Sequence, residues 1–286
     1  MLIFTALCWG ANAVFGRIAV GEASPMAIVM FRWLGVLILI VFFARKPVIM
    51  DWPVLRQNLG FIFTMGMLGF AGFNGLFYIA AHYTTAVNMG ILQGSVPIFV
   101  LIGTYTAFKS KISLMQIIGV AITVLGVVIV ATAGRLQDLI NLSFNIGDGL
   151  MIIACLLYAG YTIGLRNRPR ASALGLFTLF ATAAFITSIP LVIVEVQLGY
   201  FQWPSIEGWT IIMLITLFPS FLAQIFFMNG VEAIGPGRAG VFVNLVPIFA
   251  SIIAVAVLDE SFEFFHGMAL AFVLGGIFLS EHRQIK

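Results

Sequence analysis

Uncharged apolar segments follow one another along this chain, separated by short groups of charged or turn-forming residues. About 20 apolar residues is the length that an α-helix needs to cross roughly 30 Å of hydrocarbon. The segments are continuously apolar, which excludes a transmembrane β-barrel, whose strands alternate in polarity. Only 9% of the 286 residues are charged, against about 25% in soluble domains. A water-soluble protein is therefore excluded, and we predict an all-α membrane protein.

Charged residues, together with one polar turn, divide the chain into ten apolar segments. At roughly 28 residues for one helix and its loop, a chain of 286 residues has room for about ten spans. The uncharged stretch 57–108 is too long for one helix, and we divide it at His82–Thr85, whose polar residues favour a turn. The predicted spans are 2–20, 25–43, 59–81, 85–107, 113–133, 147–165, 172–194, 209–231, 238–257 and 264–281.

The basic residues predict how the chain is oriented in the membrane. If the N-terminus is cytoplasmic, eleven Lys and Arg residues fall on the cytoplasmic side, and Arg135 alone falls on the opposite side. This positive-inside bias predicts that both termini are cytoplasmic. We expect the first span to be retained, because it lacks the basic start and the cleavage site of a signal peptide. The eleven residues are Arg45, Lys46, Arg56, Lys109, Lys111, Arg166, Arg168, Arg170, Arg238, Arg283 and Lys286.

The two halves of the chain resemble each other. The sequence Val-Pro-Ile-Phe occurs at Val96–Phe99 and again at Val246–Phe249, and Gly90 and Gly240 precede the two prolines by the same seven residues. Five spans in each half is an odd number, so the second half would enter the membrane from the opposite side. The repeat therefore predicts two inverted units enclosing a site near the middle of the membrane, as alternating access requires.

We expect three consecutive regions. Residues 1–134 form the first five-helix repeat, residues 135–146 form a linker at the outer face, and residues 147–286 form the second repeat with a short cytoplasmic tail.

Short motifs along the chain resemble a known transporter family. Trp9–Asn12, Phe31–Arg32 and the repeated Pro97 and Pro247 resemble the EamA branch of the drug/metabolite transporter superfamily, and the resemblance covers essentially the whole chain. It implies a fold of ten transmembrane helices in two inverted five-helix repeats, located in the cell inner (plasma) membrane. The aromatic first and sixth spans are similar to those of bacterial exporters of aromatic amino acids within that branch.

Polar and amphipathic side chains near the middle of the spans are few, and such groups usually face a cavity or a neighbouring helix. Trp9 and Asn12 are three residues apart, as are Tyr158 and Tyr161, so each pair shares one helix face. Aromatic rings offer stacking and cation–π surface, and amides offer uncharged hydrogen bonds. The alternative is that the amides bridge helices. The predicted substrate-binding residues are Trp9, Asn12, Asn74, Tyr78, Gln93, Tyr158, Tyr161, Gln224 and Asn244.

Arg32 lies inside the second span, where a charge is costly. It could contact a substrate carboxylate. It could instead extend outward to the membrane surface or pair with Glu22, and these two alternatives weigh more heavily.

Glycine and proline predict where the helices move. Gly69 and Gly72 belong to a series of glycines at every third residue of the third span, and small residues let helices approach closely. Pro97 and Pro247 each remove a backbone hydrogen bond, so we expect bends there. We predict that these four residues serve in gating. Static close packing is the alternative.

The sequence lacks several kinds of functional group, and each absence argues against a class of function. No carboxylate lies near the middle of a span, which argues against proton-coupled antiport of cations. No catalytic cluster points to an enzyme, and we expect no cofactor and no metal. We therefore predict a monomeric exporter in the lipid bilayer that carries aromatic or neutral amino acids and has no nucleic-acid partner. Quaternary amines and sugar phosphates are excluded as main cargo. Export of drugs or of other metabolites by the same fold is the alternative.

Overall fold

The computed structural model describes residues 1–43, 45–109, 113–134, 145–234 and 242–281. Several sequence predictions fall outside these residues. They concern most of the linker 135–146, Gly240, the tail after residue 281, and the basic residues Lys111, Arg135, Arg238, Arg283 and Lys286.

The regular elements within the described ranges are all helical, as predicted for an all-α protein. Polar side chains begin several helices by accepting a hydrogen bond from a backbone N–H of the first turn, as Thr85, Ser172 and Ser205 do. The α-helices are α1 (Leu2–Ile18), α2 (Pro25–Phe43), α3 (Arg45–Leu55), α4 (Leu59–Gly66), α5 (Phe73–Ala80), α6 (Ala86–Gln93), α7 (Val96–Phe108), α8 (Leu114–Ala131), α9 (Ile146–Gly164), α10 (Ala173–Gln197), α11 (Ile206–Ile215), α12 (Ala223–Ile234), α13 (Val246–Leu258) and α14 (Phe264–Glu281).

Within the described ranges, six helical stretches are long and apolar enough to cross a membrane, and four shorter apolar helices accompany them. The count of ten spans and the inversion of the second half remain predictions. The long stretches are Pro25–Phe42, Arg45–Ala80, Ala86–Phe108, Ile146–Asn167, Ala173–Gln197 and Ile206–Gly230. The shorter ones are Leu2–Ile18, Leu114–Val130, Phe242–Leu258 and Phe264–Leu279.

Helix α3 was not expected from the hydropathy. Its 11 residues carry charged groups and an internal proline, Pro53, and its Met50 and Trp52 are exposed. Its sequence lacks a run of apolar residues long enough to mark a span, so the apolar pattern alone assigned this segment to a loop.

The two repeated prolines lie where helices are interrupted. Helix α6 ends at Gln93, Gly94 and Ser95 form a turn, and α7 starts at Val96 with Pro97 in its first turn. Pro247 likewise stands in the first turn of α13, directly after the 3₁₀ segment Phe242–Leu245. Proline suits this position, because its missing N–H has no partner in the first turn of a helix anyway. The bends expected at Pro97 and Pro247 thus take the form of breaks between helices.

In the part of the chain that the structure describes, two π-helical segments interrupt the long helices that contain α4–α5 and α11–α12. They are Met67–Gly72 and Thr216–Leu222, and the second contains Pro219. Segments of this kind are rare and leave local carbonyl groups available to partners outside the helix. Both segments border the cavity described below.

Side-chain hydrogen bonds tie the helix ends together at one end of the bundle, called here the Glu195 end. Glu195 accepts from the Ser24 hydroxyl at 2.7 Å and from the Met26 backbone N–H at 3.2 Å, at the start of α2. The two carboxylate oxygens of Glu260 accept from the backbone N–H groups of Ala86 at 2.8 Å and Val87 at 3.0 Å. Carboxylates at helix N-termini are stabilising, so these contacts hold the Glu195 end together.

Candidate functional site

A large cavity lies between the helices, with a volume of about 1410 Å³. It is lined by residues of helices α1, α2, α5–α10, α12 and α13 and of both π-helical segments. The lining residues include Gln116, Arg168 and Ser172. These three lie at the end of the bundle opposite the Glu195 end, called here the Arg168 end. The helix-end contacts at the Glu195 end involve none of its lining residues. The cavity therefore extends from the interior toward the Arg168 end.

One wall of the cavity is aromatic. Trp33 stacks on Phe70 with ring centroids 4.7 Å apart and planes at 11°. Tyr161 packs between Phe70 at 5.4 Å, Tyr158 at 5.4 Å and Phe180 at 5.7 Å. Such tilted and offset pairs are the preferred arrangements of aromatic rings. The aromatic wall, as named here, consists of Trp33, Phe70, Phe73, Tyr158, Tyr161, Phe177 and Phe180.

Most of the predicted site residues line this cavity. Tyr78 lies behind the wall and is fully buried, and Gly72 faces Leu157 rather than the cavity. The roles of all these residues remain predictions. The predicted residues that line the cavity are Trp9, Asn12, Arg32, Gly69, Asn74, Gln93, Pro97, Tyr158, Tyr161, Gln224, Asn244 and Pro247.

Arg32 is held by a buried polar network at the cavity wall. Its Nε and Nη2 donate to the Ser220 hydroxyl oxygen at 3.0 and 2.7 Å. Its Nη1 donates to Asn74 Oδ1 at 2.5 Å and to the Tyr78 hydroxyl at 2.6 Å. Tyr78 in turn donates to Asn12 Oδ1 at 2.9 Å. Tyr78 thus positions the guanidinium from behind and connects it to α1.

The hydrogen-bond network agrees with neither of the two alternatives, extension to the membrane surface or pairing with Glu22, that were considered for Arg32. The side chain is only 4% exposed, so it does not extend to the membrane surface. Glu22 instead accepts a hydrogen bond from the Ser205 hydroxyl. Within the described residues no carboxylate forms an ion pair with Arg32. Its hydrogen-bond acceptors there are all uncharged, so they leave the positive charge of the guanidinium unbalanced.

Two further contacts explain how α1 and α9 reach the cavity. The Trp9 indole N–H donates to the backbone carbonyl of Pro219 at 3.0 Å, in the second π-helical segment. A Cβ at Gly69 would overlap the ring of Tyr161, so only glycine lets this ring lie against the first π-helical segment. The glycines of the third span do not face a single helix, because Gly66 lies against α10 and Gly69 against α9.

The sequence did not single out the phenylalanines of the aromatic wall. Phe70, Phe73, Phe177 and Phe180 are four of 28 phenylalanines in the chain, and most of these are indistinguishable from lipid-facing residues by hydropathy. Ser220 and Trp33 were missed for a similar reason. A serine next to a proline and a tryptophan next to Arg32 carry no periodic signal of their own.

Apolar helices around an internal cavity with polar and aromatic walls define the chain as a multi-pass helical membrane protein. The family model of the EamA-like transporter family matches residues 1–132 and 145–281. The chain belongs to this family and is a membrane transporter.

Similar proteins agree with this assignment. The chain is 26% identical to the uncharacterized transporter YetK of Bacillus subtilis (strain 168), over 95% of this chain and 82% of YetK. It is 24% identical to the uncharacterized inner membrane transporter YedA of Escherichia coli (strain K12), over 96% of this chain and 87% of YedA. A solved crystal structure, 14% identical, superposes with a TM-score of 0.66 over 98% of this chain and 95% of that chain, which shows a shared fold.

Proposed function

We propose that this EamA-family transporter exports small amphipathic metabolites, chiefly aromatic and neutral amino acids. The observation that carries the proposal is the aromatic wall, which borders the same cavity as the amides of Asn12, Asn74 and Gln224. Aromatic side chains bind rings by stacking, and the amides provide hydrogen bonds for the polar part of a substrate. An aromatic amino acid has both parts.

We also propose that the two halves are inverted five-helix repeats that alternate around this cavity. Corresponding features support this. Helices α7 and α13 each have 13 residues, and each ends in a left-handed residue, Lys109 with φ 53° and Asp259 with φ 51°. The two π-helical segments also stand at matching positions, about 149 residues apart. Related halves allow two nearly equivalent conformations, open to opposite sides.

The proposed direction of transport follows from the open end of the cavity. Arg166, Arg168 and Arg170 lie at the Arg168 end, and the positive-inside bias assigns these residues to the cytoplasm. The substrate would then enter the cavity from the cytoplasm. Both termini of the chain would lie on the same, cytoplasmic side of the inner membrane. In the opposite conformation the contacts of the Glu195 end would separate and the cargo would leave.

Within this proposal each predicted site residue has a role. Trp9, Tyr158 and Tyr161 contact the ring of the substrate, while the amides bind its polar groups. Gly69, Gly72, Pro97 and Pro247 lie where helices touch closely or break, and these positions accommodate the change between conformations. Tyr78 acts indirectly by positioning Arg32.

Reconstitution of the full chain in liposomes tests the proposal. Vesicles preloaded with unlabelled phenylalanine or tryptophan should accumulate the labelled amino acid by exchange, whereas threonine should exchange more slowly. Vesicles without protein are the control for leakage. If no amino acid exchanges while an unrelated aromatic drug does, the cargo is a drug or other metabolite and the amino-acid assignment fails.

A further inference from the structure

We propose that the cavity selects its aromatic cargo by a carboxylate group and does not require an amino group, so that aromatic monocarboxylates are substrates alongside amino acids. This inference deepens the proposed function and rests on it. It concerns the net charge of the substrates that bind in the cavity.

Charge is distributed unevenly around the cavity. Arg32 and Arg168 are the charged side chains among its described lining residues, and no Asp or Glu is among them. Arg32 is buried at the interior, while Arg168 is exposed at the open end. At the open end the Asp51 carboxylate, which accepts from the Ser172 backbone N–H at 2.8 Å, stands near Arg168. In the interior Arg32 is the charged lining residue among those described, so an anion is attracted there and a cation meets like charge.

The surroundings of Arg32 have more hydrogen-bond donors than acceptors. Ser220, Asn74 and Tyr78 accept from four of the five guanidinium N–H groups. The remaining Nη2 N–H has no acceptor among the described residues. The indole N–H of Trp33, whose ring centroid lies 5.0 Å from the guanidinium carbon, is also buried without an acceptor in the described chain. The remaining N–H and the uncompensated charge of Arg32, whose side chain lines the cavity, call for an acceptor, and a carboxylate supplies both oxygen acceptors and the missing negative charge.

The same residues place the carboxylate next to the ring site. Trp33 stacks on Phe70, and Phe70 contacts Tyr161, so the aromatic wall begins beside Arg32. A molecule with a ring and a carboxylate joined by a short linker can occupy both sites at once. Its ammonium group, if present, would meet only neutral amides and the rings themselves. The ring faces attract an ammonium by cation–π interaction, but the like charge of Arg32 beside them repels it. The amino group therefore adds little net binding, and its charge partly cancels the attraction of the carboxylate.

Three compounds with the same ring and the same linker test the inference on the wild-type protein. They are 3-phenylpropionate, which has only the carboxylate, phenylalanine, which has both groups, and phenethylamine, which has only the amine. At about pH 7.5 the acid is ionised and the amine is protonated. We expect 3-phenylpropionate to inhibit phenylalanine exchange at least as strongly as unlabelled phenylalanine, and phenethylamine to be at least about tenfold weaker.

Each result of this comparison has a distinct meaning. If phenethylamine inhibits as well as phenylalanine, or if 3-phenylpropionate does not inhibit, the inference is overturned while amino-acid transport stands. If phenylalanine does not exchange but 3-phenylpropionate exchanges and raises the melting temperature of the purified protein, selection by the carboxylate stands, whereas the amino-acid part of the proposed function fails. If none of the three binds or exchanges, both the inference and the proposed function fail.

Variants locate the effect at Arg32. Arg32→Gln should weaken inhibition by 3-phenylpropionate by about 10- to 100-fold, and Arg32→Lys should restore part of it. Arg166→Gln is the matched control, since Arg166 stacks on Phe108 and lies outside the cavity lining. Should Arg32→Gln fail to fold, the three-compound comparison on the wild-type protein still decides the inference. Equal inhibition of Arg32→Gln and wild type by 3-phenylpropionate would contradict it.

Discussion

Arg32 donates two hydrogen bonds to the hydroxyl oxygen of Ser220, which lies 188 positions further along the chain. This contact joins the second helix to the second π-helical segment. The Ser220 hydroxyl in turn donates at 2.6 Å to the carbonyl of Ile215, the last residue of α11. The serine thus couples the two halves of the chain at the cavity wall.

Ser220→Ala should destabilise the protein, because two buried guanidinium N–H groups lose their acceptor. We expect a loss of about 1–3 kcal/mol in the free energy of unfolding. Denaturant unfolding in detergent measures it. Ser251→Ala is the control, since Ser251 is also buried but bonds within its own helix, to the carbonyl of Pro247. Equal losses in the two variants would show that the Arg32 contact contributes nothing.

Tyr161→Leu should weaken the binding of an aromatic substrate by about 2- to 12-fold, because the ring contact is lost. Tyr161→Phe keeps the ring and should bind nearly as well as the wild type. Half-saturation of phenylalanine exchange in liposomes gives the comparison. The exposed Tyr105, changed to Leu, controls for the loss of a tyrosine away from the cavity. A Tyr161→Leu protein with unchanged half-saturation would remove the aromatic wall from the binding site.

Gly69→Ala should destabilise the fold by about 1–3 kcal/mol, because the added Cβ overlaps the Tyr161 ring and forces it to move. Gly160→Ala is the matched control one residue from Tyr161. A Cβ there meets nothing within 4 Å, and alanine favours a helix over glycine by up to about 1 kcal/mol. Melting temperatures of the two variants should therefore shift in opposite directions. A Gly69→Ala protein as stable as Gly160→Ala would contradict the close contact.

Glu195→Gln should weaken the Glu195 end, because the negative charge at the start of α2 is lost. We expect the free energy of unfolding to fall by about 0.3–2 kcal/mol, because this charge stabilises the start of α2 through its hydrogen bonds. The effect should become smaller when Ser24 is already alanine, while the part due to the charge and to the Met26 N–H contact remains. A double-mutant cycle measures the coupling between Glu195 and Ser24. The exposed Glu207, changed to Gln, is the control for a carboxylate that begins its own helix. Additive effects of the Glu195 and Ser24 changes would argue against their contact.

Acid should destabilise the protein through His82, which lies in the turn between α5 and α6. Partial burial, and secondarily the charge of Arg17, lower the pKa of this imidazole below its ordinary value of 6.5. The folded protein then binds the proton more weakly than the unfolded chain does. Stability from this group is complete above about pH 6.5 and falls as the pH drops from there toward the lowered pKa. His82→Gln should flatten this part of the stability profile, and unchanged profiles would contradict the prediction.

The sequence by itself determined that the chain is helical and apolar, and where its apolar helices lie, although it missed the charged helix α3. This follows because runs of apolar residues and the turn residues between them act locally, as at His82–Thr85. Polar side chains such as Asn12, Asn74 and Gln224 were recognisable for the same reason. They are costly in hydrocarbon wherever the helices pack, and the structure brings all three to the cavity.

The tertiary structure alone decided which apolar side chains form the site and which partners hold its charge. Phe70 and Phe180 differ from lipid-facing phenylalanines only in which neighbouring helix they meet. Arg32 donates to Ser220, which is 188 residues away in the chain. Tyr78 lies behind the aromatic wall because its hydroxyl bridges Arg32 and Asn12. Hydropathy depends on each residue alone, whereas these contacts depend on how helices distant in the chain pack together.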